Sequence, residues 1–206
     1  MRKGEKTRER ILDIAETSVL QKGFGATSID ELIAEAELTK SGFFYHFSDK
    51  NALARALLQR HLERDDEILD DLFRRARELS DDPLHALLIG LKLFSEMLGK
   101  LQDGHPGCLV ATYCYHERLF DREINELNAS GVQNWRQRFV DIFEKIHEKY
   151  EPQDEVEVEA LADMISTVVE GGIILSKVLK DPKVLADQVL LMRSYVKLLY
   201  QPKTVN

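Results

Sequence analysis

The amino-acid sequence predicts an all-α fold of about nine helices, divided into a small N-terminal helical domain and a larger helical bundle. Apolar residues recur at three- and four-residue spacing along almost the whole chain, which is the period of an amphipathic helix. Short breakers such as "SDDP", "DGHPG" and "KDP" separate these segments, and few stretches alternate as strands do. Hydrophobic residues make up 44% of the 206, enough for one or two cores.

The first three predicted helices are short and close together. The first covers about residues 5–22, and Gly23 ends it. The second begins at Ser28, where Glu31 three residues later completes a capping box. The third carries the aromatic stretch "GFFYHF". Because the last two are joined by a short turn, the three helices match a helix-turn-helix unit.

The rest of the chain is predicted to form longer helices. The fourth begins at residue 48 or 49 and continues to about 79, a length of roughly 45 Å. The remaining predicted helices cover about residues 84–102, 107–120, 122–150, 155–179 and 182–200. The predicted domains are a small helical domain over residues 1–50, with a basic N-terminal arm, and a larger helical domain over residues 51–206.

Composition narrows the possible classes of protein. There is no apolar run of eighteen residues and no secretory leader, so we expect no membrane span. Cys108 and Cys114 lie six residues apart in one predicted helix, a poor spacing for a disulfide, and they indicate a reducing, cytoplasmic setting. The net charge of −8 disfavours indiscriminate binding of polyanions, but the first ten residues carry five basic against two acidic groups. That distribution is compatible with local phosphate contacts.

The stretch 43–47 holds four aromatic rings and a histidine, and helical spacing predicts how they divide. Phe44 and Phe47 are three residues apart and share a face, so we expect them to pack in the small core. Phe43, Tyr45 and His46 are then expected to face outward, where hydroxyl, ammonium and ring groups can contact phosphates and base edges. The alternative is that all four rings fill the core of an ordinary bundle.

Residues 7–58, "TRERILDIAETSVLQKGFGATSIDELIAEAELTKSGFFYHFSDKNALARALL", resemble the DNA-binding domain of the TetR family of transcriptional regulators. The similarity lies in "ILDIAE", in the "T-S" before the second helix, in "IAEAEL" and in "TKSGFFYHF". One position departs from the family, which often has "A-G-V" before the recognition helix where this chain has "A-E-L". Glu37 lacks glycine's freedom at positive φ and brings a negative charge toward DNA.

The resemblance implies a transcriptional repressor that binds a pseudo-palindromic operator as a homodimer and is released by a small-molecule effector. It makes residues 1–50 the DNA-binding domain and residues 51–206 the effector-binding and dimerisation domain. It also implies that Arg2 belongs with the basic arm that reaches the minor groove. Facing and resemblance together predict DNA contacts by Lys3, Lys6, Thr27, Ser28, Thr39, Lys40, Ser41, Phe43, Tyr45, His46 and Lys50.

Two further sets of residues are predicted in the larger domain. An effector pocket between the middle helices is expected to be lined by Phe94, Met97, Tyr113, Tyr115, His116, Trp135, Phe139 and Met164. Wide apolar faces on the last two helices suggest a four-helix bundle across a two-fold axis, with Leu161, Ile165, Val168, Gly172, Leu175, Val189, Met192 and Val196 at the interface. The alternatives are plain core packing of the pocket residues and burial of both faces within one subunit.

The sequence offers no cofactor, metal or catalytic motif. His105, Cys108, Cys114 and His116 cluster along the chain, but helical spacing points them in different directions, so we expect neither a zinc site nor a nucleophile–base pair. Glycine-rich phosphate loops, G-x-S-x-G and H-E-x-x-H are absent. The remaining alternatives are a TetR-like interaction protein that has lost specific DNA binding and, less favoured, an enzyme.

Overall fold

The computed structural model describes residues 3–101 and 103–201 of the chain, and this part contains helices and no strand. The predicted all-α fold is thereby confirmed. The nine α-helices of the described residues are α1 (Lys3–Lys22), α2 (Ile29–Glu35), α3 (Lys40–His46), α4 (Lys50–Leu79), α5 (Pro83–Leu98), α6 (Leu109–Tyr115), α7 (Arg122–His147), α8 (Val158–Leu179) and α9 (Lys183–Leu199), with a 3₁₀ turn at Glu117–Leu119.

The chain forms two compact units. The first unit comprises the chain up to Asp65 together with Pro106–Val132, and the second comprises Asp66–His105 and the chain from Gln133 onward. Compactness thus groups α6 and the start of α7 with the N-terminal helices. The functional limits 1–50 and 51–206 stay a prediction.

The core of the first unit is built on α1, whose Ile11, Ala15 and Val19 are buried at four-residue spacing. Full burial of an isoleucine or valine side chain contributes about 1.5–3 kcal/mol. On the opposite side Tyr113 stacks on Phe120, with ring centroids 4.3 Å apart, and its hydroxyl donates to the Ala54 carbonyl at 2.8 Å. This core holds α1, α2, α3 and α6 together.

In the second unit α9 packs against both α5 and α8. Gly172 permits the α8–α9 contact, because a Cβ atom there would lie 2.7 Å from Leu185 Cδ1. Ser95 on α5 donates a buried hydrogen bond of 2.9 Å to the Ala186 carbonyl on α9. The two contacts fix α9 on both sides.

The end of the sixth helix differs from the prediction, and a second finding concerns the expectation that the chain has no membrane span. The sixth helix was expected to continue to residue 120, but it ends at Tyr115 because His116 leaves the helical region, with φ −119° and ψ 27°. Among the described helices, none combines the length and the apolar content needed to cross a bilayer.

Candidate nucleic-acid interface

The two short helices α2 and α3 each begin with a side chain that caps the first turn. The Ser28 hydroxyl accepts from the Glu31 N–H while the Glu31 carboxylate accepts from the Ser28 N–H, so the predicted capping box is confirmed. At the start of α3, the Thr39 hydroxyl accepts from the Gly42 N–H at 3.1 Å. Both helices are only seven residues long, and helices this short are unstable alone, so the caps help to stabilise them.

Glu37 adopts the left-handed backbone conformation that glycine favours, although the sequence has a glutamate there. Its φ is +50°, its N–H donates to the Ala34 carbonyl at 3.1 Å, and the Leu38 N–H donates to the Ile33 carbonyl at 3.0 Å. These two bonds form a Schellman motif, and Leu38 follows it as a partly buried residue of the core. A non-glycine residue in this region costs about 1–2 kcal/mol, so the turn carries backbone strain.

Arg10 on α1 fixes the same turn from outside, a role that sequence reasoning missed. Its guanidinium donates to the carbonyl of Ala36, the C-cap of α2, at 2.6 Å. A cation at a helix C-terminus also interacts favourably with the partial negative charge there. No local sequence signal marks this bond, because its two residues are 26 positions apart.

The predicted facing of the aromatic residues of α3 was wrong for one adjacent pair. Phe43 is 0% exposed and Phe47 is buried, whereas Phe44 is 40% exposed. The prediction paired Phe44 with Phe47 at three-residue spacing, but the buried face instead uses the four-residue spacing of Phe43 and Phe47. Phe47 is the C-cap, and its N–H donates to the Phe43 carbonyl, which keeps these two residues on one side. Phe43 is therefore a core residue, and Phe44 takes its place at the surface.

The outer face of α3 presents polar groups and one prominent ring. Tyr45 is 83% exposed, and its ring meets His46 edge to face with centroids 5.0 Å apart. Lys40 and Ser41 are exposed in the first turn, and the Ser41 hydroxyl lies 3.1 Å from that of Thr39. This face therefore offers an ammonium, two hydroxyls and an aromatic edge on one short helix.

Two of the predicted phosphate contacts lie elsewhere than expected. Thr27 is 1% exposed, because its hydroxyl donates to the Gly23 carbonyl and accepts from Ser18, each at 3.0 Å; its predicted exposure to phosphate was wrong. The Lys50 ammonium donates to the Phe24 carbonyl at 2.8 Å and lies 4.6 Å from the Phe24 ring centroid. Partial burial lowers the pKa of Lys50. The Lys50 ammonium therefore binds a carbonyl group of the protein itself.

The basic N-terminal arm is helical where the structure describes it. α1 begins at Lys3, so Lys6 stands exposed in the first turns of a helix rather than on an extended arm. The predicted contacts of Arg2 and of the Lys3 side chain lie outside the described residues. Gly4 lies beside His46, whose Cε1 would be 4.0 Å from a Cβ at that glycine. The start of α1 and the end of α3 thus share one side of the first unit.

The predicted effector residues are divided between the two compact units. Tyr113 is buried in the core of the first unit, Tyr115 and His116 are exposed on that unit, and the part of these three in an effector pocket stays a prediction. The remaining candidates belong to the second unit: Phe94, Met97, Trp135, Phe139 and Met164. Trp135 packs on Phe139, and its Nε1 is buried without a hydrogen-bond partner among the described residues.

Most residues of the predicted dimer interface are buried within one subunit. This is the alternative that the sequence analysis left open. Six of its residues are buried within the second unit: Leu161, Ile165, Gly172, Val189, Met192 and Val196. Val168 is half-buried and Leu175 is 46% exposed. The apolar residues that α8 and α9 leave exposed are instead Ile174, Leu175, Val178, Leu179, Leu191, Tyr195 and Leu198.

These elements define a class of protein. A short capped helix, a tight turn and a second capped helix with an exposed polar and aromatic face, all packed on a third helix, form a DNA-binding helix-turn-helix. Residues 11–57 match the sequence profile described as "Bacterial regulatory proteins, tetR family". The DNA-binding segment of the chain thus matches the TetR family of transcriptional regulators.

Known proteins show where this similarity is strong. The HTH-type transcriptional regulator YvkB of Bacillus subtilis is 28% identical over 165 residues, which cover 80% of each chain. The HTH-type transcriptional repressor NemR of Escherichia coli is 40% identical over 55 residues, 27% of this chain and 28% of NemR. The crystal structure of a TetR-family regulator from Agrobacterium tumefaciens has the same fold, with a TM-score of 0.77 at 14% identity, covering 93% of this chain and 98% of that one.

Proposed function

We propose that this regulator is a repressor that binds a pseudo-palindromic operator in double-stranded DNA as a homodimer and is released by a small-molecule effector. The observation that carries the proposal is the outer face of α3, where Tyr45 is 83% exposed beside Lys40 and Ser41. A protein gains nothing in its own core from a ring held in water, so a binding role explains this exposure. Repression is supported by the 40% identity over 55 residues to a named repressor.

The groups on α3 divide into positioning and reading contacts. Lys40 and the hydroxyls of Thr39 and Ser41 are suited to phosphate oxygens, which fix orientation without reading sequence. The Tyr45 ring and hydroxyl, with Phe44 beside them, are suited to base edges and thymine methyl groups in the major groove. Ser28 is exposed at the start of α2, where its hydroxyl is suited to a phosphate oxygen as well.

The homodimer is supported by apolar residues exposed at helical spacing on the last two helices. On α8, Ile174 and Val178 are four residues apart, and on α9 Leu191, Tyr195 and Leu198 follow at four and three. Pairing such faces about a two-fold axis would bury them in a four-helix bundle. The proposed interface therefore uses this exposed stripe instead of the buried residues first expected.

The effector is proposed to bind in the second unit, near Trp135. A buried indole N–H without an acceptor is costly, and a ligand acceptor would remove that cost. Binding shifts the equilibrium between conformations only by the difference in affinity for each. We expect no catalytic activity, no cofactor, and a place in the cytoplasm, where the chromosome is.

Selection of random duplex DNA on the purified protein tests the proposal directly. The expected result is an enriched pseudo-palindrome with half-sites about one helical turn, 34–36 Å, apart. Affinity should fall steeply with salt as counterions are released. A folded dimer that enriches no site at low salt would refute operator binding and favour the interaction protein, for which the exposed charge of Glu37 beside α3 is the supporting observation.

A further inference from the structure

A groove of about 520 Å³ in the second unit has a lining unlike the rest of the chain. Leu84, Leu88 and Ile89 of α5 give it an apolar wall, and Arg193 and Lys197 of α9 give it two cations. None of the described residues that line it is acidic, although the whole chain carries a net charge of −8. Its volume is in the range of small-molecule sites. The groove therefore suits an anion that also has an apolar part.

A buried hydroxyl at this groove has no partner. Tyr200 borders the groove and is 2% exposed, and its Oη has no hydrogen-bond partner among the described residues. The ring of His147 meets the Tyr200 ring with centroids 5.6 Å apart, and His147 Nε2 is buried and equally unpartnered in the described part of the chain. Burial raises the pKa of Tyr200 to about 12, so the hydroxyl remains a donor at neutral pH. The unsatisfied hydroxyl of Tyr200, which borders the groove, indicates a missing partner there.

Arg193 is held in place at the groove by its own backbone contact. Its Nε donates to the Leu88 carbonyl at 2.8 Å, which leaves the two terminal nitrogens without a partner among the described residues. A guanidinium anchored in this way is prepared to donate to a carboxylate without losing much conformational freedom. Lys197 adds a second, mobile cation one helical turn further along α9.

We propose that this groove binds a small carboxylate with an apolar tail, at a site separate from the Trp135 region. Arg193 and Lys197 bind the carboxylate, Leu84 and Leu88 contact the tail, and the Tyr200 hydroxyl donates to an oxygen of the ligand. Binding requires no DNA, and only an effect of the ligand on the operator complex rests on the proposed function.

Isothermal titration of the full chain with octanoate tests the site, with octanol and octylamine as uncharged and cationic controls. We expect octanoate to bind and to raise the melting temperature, and the two controls to do neither. Tyr200→Phe should weaken octanoate binding about tenfold, the effect of losing one hydrogen bond to a charged group. Lys197→Gln should weaken it as well, whereas Lys183→Gln, at the other end of α9 and outside the groove, should not.

The same variant separates a ligand role from an unpaired group without function. Without ligand, Tyr200→Phe should have a higher melting temperature, because it removes an unsatisfied buried hydroxyl. A higher melting temperature with unchanged octanoate affinity would overturn the proposal, as would the absence of octanoate binding to the folded wild type. Operator binding with and without octanoate is then measured separately, so a failure to bind DNA leaves the binding result intact.

Discussion

The rings of Phe43 and Phe44 meet edge to face, with centroids 5.5 Å apart and an interplanar angle of 85°, yet one is buried and the other exposed. These two adjacent residues of α3 therefore have different roles. Phe43 holds α3 on the core of the first unit, and Phe44 contributes to the surface that α3 presents.

Phe43→Ala should unfold the first unit more easily than Phe44→Ala does. Deleting a fully buried phenyl ring costs about 3–5 kcal/mol, whereas a ring that is 40% exposed loses less. Chemical denaturation followed by circular dichroism measures both. Equal destabilisation by the two variants would contradict the assignment of Phe43 to the core.

Tyr45→Ala should weaken operator binding about tenfold or more while leaving the melting temperature unchanged, because the ring is exposed and makes few contacts in the protein. Fluorescence anisotropy with the selected operator measures the affinity. Tyr115→Ala is the matched control, since Tyr115 is 77% exposed on α6. Loss of affinity in the control, or normal affinity in a folded Tyr45→Ala, would count against the role of α3.

Glu37→Gly should stabilise the protein by up to about 1 kcal/mol. Glycine removes the strain of φ +50°, and its greater freedom in the unfolded chain offsets part of the gain. Glu35→Gly, the same change at the last residue of α2, should instead destabilise by about 0.5–1 kcal/mol. A lower stability for Glu37→Gly in urea denaturation would show that the turn favours a side chain there.

The charge of Glu37 is separable from its backbone conformation. Glu37→Gln keeps the side-chain length and removes the charge, so it should raise operator affinity at low salt and leave the stability nearly unchanged. Anisotropy titrations at two salt concentrations measure this. No gain at low salt would place Glu37 away from the DNA.

Glu16 should make the stability of the first unit depend on pH. Burial alone would raise its pKa, but hydrogen bonds from Arg64 at 2.5 Å and Arg60 at 2.7 Å lower it below the ordinary 4.5. Since the folded pKa is below the unfolded one, this stabilisation is present above about pH 4.5 and is lost as the pH falls toward the folded pKa.

Glu16→Gln should therefore flatten the stability profile below pH 4.5 and cost about 1–3 kcal/mol at neutral pH. Glu126→Gln is the control, because its pair with Arg122 is largely exposed and contributes little. Urea denaturation between pH 3 and 7 gives both profiles. Parallel profiles for wild type and Glu16→Gln would show that the α1–α4 ion pairs do not contribute.

Leu198→Glu should produce a monomer with weakened operator binding. Leu198 is 61% exposed on α9, so the substitution places a charge in the proposed interface without disturbing the fold of one subunit. Val132→Glu, at an exposed valine of α7, is the control. Analytical ultracentrifugation gives the mass of each variant, and a dimeric Leu198→Glu would contradict this choice of interface.

Helix starts that carry a local capping signal were predicted well from the sequence. Ser28 with Glu31, and Pro83 at the first turn of α5, carry their signals within four residues. Facing was less certain, because three- and four-residue spacings both define a helix face, and only packing decided between Phe43 and Phe44.

Long-range partners lay beyond the reach of the sequence pattern. The apolar stripe of α8 was correctly located, but periodicity does not say whether Ile165 meets its own subunit or a second one. Tyr113 and Trp135 belong to different compact units, a division that the spacing of aromatic residues along the chain does not predict. The Arg10–Ala36 bond had no signal at all.

That bond has a consequence for attempts to redirect this regulator to new DNA sites. Arg10 donates a hydrogen bond to the carbonyl of Ala36, the C-cap of α2. We therefore expect replacements at position 10 to change the position of α3, although residue 10 is on α1. A library that randomises only α3 would test new side chains on a helix held in one fixed position. Including position 10 in the library would allow the position of α3 to vary together with its DNA-contacting residues.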